Sequence, residues 1–337
     1  MVETSIAIYR CFMPYYTMSA AVLAALMAAT PLAAQAEAER STQEDAQVRF
    51  SVPAWPGVTV KTALASTLLE TLGYQPVQEE LGSTITYQAL RQGELDAFLA
   101  AWLPAQQGMY DASFEGDEPT LEDLGNNVDG ARLGFAVPAY VYDAGLTSAE
   151  DLDKEEFAER LDRTIYSIEV GSGMSDSLNA AVDDDSYGLG DWELSETSTP
   201  GMLSAVDAAI DREEWIVFAG WTPHWMNIEF DVRYLDDPND MWGPEGGRSD
   251  VRTLVRREFA QSHPNATRLL DQLVFSADDQ SAMIRGFSYE EREPEQVALE
   301  WLQQHPEQTR SFVEGVTTRD GEEAWPVIQQ ALEIPDA

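Results

Sequence analysis

The sequence predicts an α/β protein built from two lobes. Short apolar segments alternate along the chain with amphipathic ones, a rhythm typical of parallel strands covered by helices. Hydrophobic residues make up 44% of the 337 residues, which is enough for a sizeable core. Roughly 300 residues follow the first 36, and that length suits two lobes.

Strands are predicted where apolar and β-branched residues run together over a few positions. The run at 214–221 is apolar and β-branched enough for a strand at the centre of a sheet. The predicted strands are residues 48–52, 95–102, 131–138, 164–170, 214–221 and 232–235.

Helices are predicted where apolar residues recur every three or four positions. In the first helix, Val60, Leu64 and Leu68 share one face, and Gly73 ends the helix. From residue 249 onward the pattern is mostly helical. The predicted helices are residues 58–72, 84–91, 174–182, 251–262, 266–274, 278–287, 294–305 and 322–332.

The chain is strongly acidic. It carries 60 Asp and Glu against 20 Lys and Arg, a net charge of −40, and Lys61 and Lys154 are its only lysines. This charge argues against nucleic acid, anionic lipid and polyanionic substrates as partners, because each of these needs a basic surface. At about 1 M salt the Debye length falls to about 3 Å, so self-repulsion is screened. We therefore expect a protein that works in high salt, with an ordinary acidic protein as the alternative.

The N-terminal segment has the pattern of an export signal. Residues 18–29 form an apolar run of 12, too short to span a bilayer comfortably, and Ala34-Gln35-Ala36 follows as a cleavage site. We predict a signal peptide over residues 1–36, with a membrane anchor as the alternative. Cleavage removes Cys11, the one cysteine, so disulfide and thiol chemistry are not expected.

Catalytic motifs are missing from the sequence. It contains no G-x-S-x-G elbow, no H-E-x-x-H, no P-loop and no dinucleotide fingerprint. His224, His263 and His305 have no ligand-like spacing, and acidic loops are too common in this chain to mark a metal site. We expect no catalysis, no metal and no cofactor. An exported enzyme is the rival hypothesis, and it lacks recognisable residues.

Three tryptophans occur at the ends of predicted strands. Trp55 lies just after the first strand, and Trp102 and Trp221 each end an apolar strand before an X-Pro pair. Ligand crevices form at strand ends in open α/β sheets. Indole faces there can form a cage for a cation, each contributing about 0.5–2 kcal/mol. The alternative is that these tryptophans pack the core, as we assume for the other six.

A glycine-rich segment, 171–175, lies between a predicted strand and a predicted helix. Backbone N–H groups at the start of a helix attract anions, and glycine lets a ligand approach the backbone closely. The segment is therefore a candidate anion site, although alone it is a weak signal.

Together these segments resemble the substrate-binding proteins of ABC importers for glycine betaine, proline betaine and choline. The resemblance covers residues 48–334, nearly the whole chain after the signal segment. It rests on the runs 220–226 (GWTPHWM), 234–238 (YLDDP), 93–96 (GELD) leading to Trp102-Leu103-Pro104, 171–175 (GSGMS) and 133–140 (LGFAVPAY).

The resemblance implies a two-lobed periplasmic binding protein, or Venus flytrap, with the ligand cleft between the lobes. We expect lobe I to comprise residues 47–132 plus 239–334, and lobe II to comprise residues 133–238. The implied partners are a small quaternary-ammonium ligand and the permease of an ABC transporter. A periplasmic monomer is expected. A ligand-sensing module with the same fold remains open as an alternative.

The resemblance also implies roles for individual residues. Trp55, Trp102 and Trp221 correspond to the cage around the trimethylammonium group. The backbone amides of Gly173 and Met174 correspond to the groups that hold the carboxylate of a betaine.

Some positions depart from the pattern of the relatives. Gln107 stands where some relatives have a histidine, and Gly57 stands where choline-binding relatives have an aspartate. Leu133 replaces a cage tyrosine of those relatives, which leaves Tyr140 as a candidate fourth wall. These departures favour glycine betaine, with choline as the alternative ligand.

Overall fold

The framework consists of two five-stranded sheets. The computed structural model describes residues 46–116 and 119–336, and those from Gln47 onward belong to one compact unit. The strands are β1 Gln47–Ser51, β2 Gln75–Glu79, β3 Ala97–Leu103, β4 Leu121–Asn126, β5 Val128–Asp129, β6 Arg132–Pro138, β7 Thr164–Ser167, β8 Glu193–Glu196, β9 Val217–Thr222, β10 Val232–Tyr234, β11 Asp250–Arg256 and β12 Phe275–Ser276.

Helices connect the strands and cover the sheets. The α-helices are α1 Pro56–Thr71, α2 Ser83–Gln92, α3 Gln107–Phe114, α4 Ala139–Asp143, α5 Glu155–Arg160, α6 Gly173–Asp183, α7 Thr199–Asp211, α8 Met226–Glu229, α9 Pro244–Gly247, α10 Arg257–Ser262, α11 Pro264–Gln272, α12 Ala277–Ile284, α13 Pro294–Gln304, α14 Pro306–Phe312 and α15 Ala324–Ala331. Single turns of 3₁₀-helix cover Ala149–Asp153 and Ser186–Asp191, and one of π-helix covers Arg285–Tyr289.

The chain enters the second sheet and returns to the first. The first sheet has the order β2-β1-β3-β11-β4, so it combines strands before residue 127 with one strand after residue 249. The second sheet has the order β10-β6-β9-β7-β8 and uses only strands between residues 132 and 234. Two chain crossings therefore connect the two sheets of this mixed α/β fold.

The sheets are mixed, whereas the sequence predicted parallel ones. Strand β1 runs parallel to β2 and β3, but β11 is antiparallel to both β3 and β4. In the second sheet, β6 is antiparallel to β9 and β10, while β7 is parallel to β8 and β9. Each of these antiparallel pairs contains β6 or β11, the strands that follow the two chain crossings.

The predicted helix over residues 251–262 is wrong in its first half. Val251, Leu254 and Val255 have helical spacing, yet they belong to β11 near the centre of the first sheet. The ladder shifts register between Arg252 and Leu254, which breaks the alternation expected of a strand. Elsewhere, α7 and the edge strand β2, whose sequence QPVQE is polar and exposed, have no counterpart among the predictions.

The predicted signal peptide, residues 1–36, lies outside the described residues. None of the helices in the described part of the chain has the length and hydropathy needed to cross a membrane.

A buried carboxylate ties the strands of the first sheet together. Asp96, 2% exposed, receives Nε of Arg49 at 2.8 Å and Nη2 of Arg256 at 2.9 Å. Burial by itself would raise the pKa of Asp96, but the hydrogen bonds from the two arginines hold that pKa below its usual value. The ionised group thus links β1 and β11 at the start of β3.

A buried lysine joins helix α1 to the first chain crossing. Lys61 is 2% exposed, and its Nζ donates to Oδ1 of Asn127 at 2.6 Å. The Asn127 amide in turn donates to the Leu99 carbonyl at 3.0 Å and to Thr253 Oγ1 at 2.9 Å. Burial lowers the pKa of Lys61 to about 7, because the interior disfavours the ammonium form.

The pKa of Lys61 predicts a stability that rises with pH. Between pH 7 and 9.5 the unfolded chain binds the Lys61 proton while the folded protein releases it, so the free energy of unfolding should increase by roughly 2–3 kcal/mol. Lys61→Met should remove this increase. Urea denaturation at fixed molar salt and several pH values measures it.

Lys154→Met is the matched control, because Lys154 is exposed and paired with Asp151 at 2.7 Å. That variant should keep the pH dependence of the parent. A parent protein with equal stability at pH 7 and 9.5 would contradict the assignment of a neutral Lys61.

Candidate functional site

One apolar pocket gathers residues from both sheets. The empty space between its walls is about 410 Å³, including the part open to solvent. Its lining residues are Trp55, Trp102, Ala105, Gln106, Leu133, Ile168, Ser172, Gly173, Met174 and Trp221.

Trp55 is positioned by the start of helix α1. It is the N-cap residue before Pro56, its backbone N–H donates to the Pro53 carbonyl at 2.8 Å, and its side chain is buried. Proline at the first helical position needs no N–H partner, so the helix can begin directly after the indole. The indole Nε1 has no hydrogen-bond partner among the described residues, so Trp55 contributes as an apolar face.

Trp102 is positioned near the end of β3, where the chain turns. Its carbonyl accepts from the Gln106 backbone N–H at 2.8 Å, and its own N–H donates to Gln106 Oε1 at 3.3 Å. The Leu103–Pro104 peptide between them is cis. The turn therefore holds the half-buried Trp102 and the buried Gln106 side by side.

Trp221 comes from the second sheet. In the ladder it lies opposite Leu133, and both side chains are 5% exposed. Its carbonyl accepts from Asn227 Nδ2 at 2.8 Å, and its ring packs edge-on against His224 with centroids 4.7 Å apart. A cis Thr222–Pro223 peptide follows Trp221, just as a cis peptide follows Trp102.

The glycine-rich segment begins helix α6 at the pocket. Ser172 caps the helix by accepting from the Ser175 backbone N–H at 3.2 Å. No partner for the Gly173 and Met174 amides is found among the described residues. A Cβ on Gly173 would lie 2.7 Å from the Ala105 carbonyl, so glycine allows the close contact with the turn after β3.

The lining is electrically neutral. Among the residues that the structure describes, those lining the pocket include no Asp, Glu, Lys, Arg or His. His224 behind Trp221 is fully buried, which lowers its pKa to about 3 and keeps the imidazole uncharged near neutrality. The pocket therefore offers aromatic faces, aliphatic walls and backbone dipoles, without an ionised side chain.

Two of the residues expected at the site lie elsewhere. Gln107 is exposed, and its Nε2 donates to Asp111 at 2.7 Å on the surface of α3. Tyr140 lies on α4, and its hydroxyl donates to the Glu214 carbonyl at 2.6 Å. Neither side chain lines the pocket, so the suggestion of a fourth wall at Tyr140 is corrected: Leu133 and Ile168 are the aliphatic walls.

Gln106 is a lining residue that the sequence did not predict, as are Ala105 and Ile168. It is 2% exposed, accepts from the Tyr87 hydroxyl at 3.1 Å, and donates to Ser83 Oγ at 3.4 Å. The only available signal was its position in a turn after an X-Pro pair. Spacing alone could not distinguish it from Gln107.

The described residues contain no group of three or more His, Cys, Asp or Glu side chains suited to hold a metal ion. The geometry provides no arrangement in which a nucleophile, a base and an oxyanion site converge on the pocket.

Two chain crossings join the two sheets, and residues from both sheets line one neutral aromatic pocket. This arrangement defines a solute-binding protein of the two-lobed type. Residues 46–304 match the family described as the substrate-binding domain of the ABC-type glycine betaine transport system. The chain belongs to this family.

A curated relative is the glycine betaine/carnitine transport binding protein GbuC of Listeria monocytogenes. It is 32% identical over 195 residues, which are 57% of this chain and 62% of the relative. The match thus spans less than two thirds of that protein.

Two solved structures are also similar. A choline-binding protein of an ABC transporter, in complex with choline, has a TM-score of 0.81 and 31% identity, covering 86% of this chain and 99% of its own. Lactococcal OpuAC, closed on glycine betaine, has a TM-score of 0.70 and 26% identity, covering 79% and 98%.

Because Gln106 is buried and Gln107 is exposed, the same substitution should lower the free energy of unfolding by different amounts at the two positions. Gln106→Leu leaves the Tyr87 hydroxyl and the Trp102 N–H without partners, so it should lower the free energy of unfolding by about 1–3 kcal/mol. Gln107→Leu, the matched control, should change it by no more than about 0.5 kcal/mol. Urea denaturation at molar salt compares them, and equal costs would contradict this description of the turn.

Proposed function

We propose that this protein captures glycine betaine, or a related quaternary-ammonium compatible solute, and delivers it to the permease of an ABC importer. The observation that carries the proposal is the convergence of Trp55, Trp102 and Trp221 on one neutral pocket. Family membership supports the transport role. The protein binds its solute without converting it.

The chemistry of the ligand explains the choice of tryptophan. A quaternary ammonium has no N–H group, so hydrogen-bond acceptors cannot recognise it. Indole faces attract its spread charge and need no donor in return. An acidic side chain would bind the cation too, but it would repel the carboxylate of a zwitterion.

The carboxylate of the ligand would be held by backbone amides. The Gly173 and Met174 N–H groups lie in the first turn of α6, where the helix dipole favours negative charge. The cation and the anion of one small molecule would then contact opposite sides of the pocket.

Two positions favour a betaine over choline. Gly57 packs against Gln280, whose Nε2 donates to the Gly57 carbonyl at 2.9 Å, and a Cβ at position 57 would lie 2.8 Å from that nitrogen. An aspartate there would have to displace Gln280, which is 2% exposed. Leu133 supplies an aliphatic wall, so position 133 offers no hydroxyl to pair with that of choline.

We also propose the organisation of the whole molecule. Residues 1–36 are an export signal, lobe I comprises residues 47–132 plus 239–334, and lobe II comprises residues 133–238. The protein acts as a periplasmic monomer, and the two lobes close on the ligand by a hinge motion. Its charge of −40 suits a saline surrounding.

Replacing a cage tryptophan should weaken binding. Trp102→Ala or Trp221→Ala should raise the Kd for glycine betaine at least tenfold, about 1.4 kcal/mol, because one aromatic face of the cage is lost. Isothermal calorimetry at molar salt measures the change, with tryptophan fluorescence as a second readout.

Trp325→Ala is the control, because Trp325 is half-buried on α15 and does not line the pocket. It should bind as the parent does. Absence of any response of the parent to millimolar glycine betaine would refute the ligand assignment, and unchanged affinity in both cage variants would refute the cage.

Glycine betaine should bind more tightly than choline. A carboxylate accepts stronger hydrogen bonds from backbone amides than a hydroxyl does, so we expect a preference of about tenfold. Calorimetric competition between the two solutes measures this preference directly. A lower Kd for choline would assign the protein to the choline-preferring alternative.

A further inference from the structure

We propose that a contact outside the pocket, on the far side of Trp221, holds the two lobes together and sets the affinity for the ligand. This inference rests on the proposed function. The contact, called here the latch, consists of Trp225, Glu229, Arg285, Ser288 and Tyr289.

The latch joins segments that belong to different lobes. Trp225 and Glu229 follow β9 of the second sheet, whereas Arg285, Ser288 and Tyr289 form the π-helical turn after α12. Helix α12 packs on α1, which carries Trp55 at its N-terminus. A relative movement of the lobes would therefore separate the two sides of the latch.

Three kinds of interaction hold the two sides together. The Trp225 Nε1 donates to Ser288 Oγ at 3.2 Å, and the Trp225 ring contacts the Tyr289 ring with centroids 4.9 Å apart. Arg285 forms an ion pair with Glu229 across the same boundary. Trp225 is 8% exposed, so this hydrogen bond is largely shielded from water while the contact is closed.

Packed rings connect the latch to the cage. Trp221 contacts His224 with centroids 4.7 Å apart, and His224 contacts Trp225 at 5.3 Å. His224 is fully buried and its Nδ1 accepts from the Met226 backbone N–H at 3.1 Å, so the imidazole is fixed in place. The cage wall and the latch are thus two ends of one short aromatic stack, at positions Trp221, His224 and Trp225.

The latch acts on affinity through the population of the closed form. If ligand binds tightly only when the lobes are closed, the observed Kd equals the intrinsic value divided by the closed fraction. Losing the latch lowers the closed fraction and therefore raises the observed Kd of every ligand by the same factor. A cage substitution, in contrast, acts on the ligand directly and can change the preference between ligands.

The ion pair and the aromatic contact respond differently to salt. The side chains of Arg285 and Glu229 are 38% and 22% exposed, so molar salt screens much of their attraction. The Trp225–Ser288 hydrogen bond and the ring contact have no net charge. At molar salt the hydrogen bond and the ring contact should therefore account for the effect of the latch on affinity.

A double-mutant cycle between Trp225→Phe and Ser288→Ala tests the latch. At molar salt, each single change should raise the Kd for glycine betaine about three- to tenfold, because each removes the same hydrogen bond. The double variant should bind no more weakly than the weaker single variant. The glycine betaine to choline preference should stay that of the parent, and ligand dissociation should become faster.

Ser311→Ala is the control for Ser288→Ala, since the exposed Ser311 hydroxyl bonds only within its own helix region, to the Gln308 carbonyl at 2.7 Å. It should bind as the parent does. The free energy of unfolding without ligand should be the same for Ser288→Ala and Ser311→Ala, which separates a latch from a general loss of stability.

Tyr289→Ala gives a second variant at an exposed position, because Tyr289 is 46% exposed. This variant should also raise the Kd for glycine betaine and the Kd for choline by equal factors. If the parent binds glycine betaine while Ser288→Ala and Tyr289→Ala bind it equally well, the latch is refuted and the proposed function stands. If the parent itself binds no quaternary ammonium, the proposed function fails instead.

Discussion

The site depends on bringing three indole rings from distant parts of the chain together around one pocket, whose described lining has no ionised side chain. Trp55 follows β1 and Trp102 lies in β3 of the first sheet, whereas Trp221 lies in β9 of the second, so the pocket needs residues from both parts of the chain. Three segments position the lining residues: the turn after β3, the N-terminus of α1 and the start of α6. Each contains a residue with special backbone properties, the fixed φ of Pro56 and Pro104 or the missing Cβ of Gly173.

The molecule is strongly acidic, so the whole fold is needed to keep the pocket lining electrically neutral. Acids that enter the interior are matched by donors: Asp96 lies between Arg49 and Arg256, and Asp237 receives the Tyr187 hydroxyl and the Trp242 backbone N–H. Such pairing stabilises the charged form where it is buried. The described residues that line the pocket include no ionised side chain.

The sequence was informative where a side chain lies at a predicted strand end and silent where register decides. Tryptophans at strand ends predicted the pocket, because ligand crevices form at the strand ends of open α/β sheets. Residues 251–256 were misread as helix because a bulge in β11 gives Val251, Leu254 and Val255 helical spacing. Gln106 and Gln107 are neighbours of the same type, and only the turn geometry places one inside and the other in solvent. Pairing across 150 residues, as between β3 and β11, leaves no local trace.

The scarcity of lysine also limits which side chains of the folded protein can react with amine-directed reagents. Of its two lysine side chains, Lys61 is on the buried face of helix α1, whereas Lys154 is 57% exposed. Aldehydes, reducing sugars and activated esters therefore find a single lysine amine on the folded surface. The protein can carry one covalent dye or one surface tether at Lys154, and that site does not line the pocket.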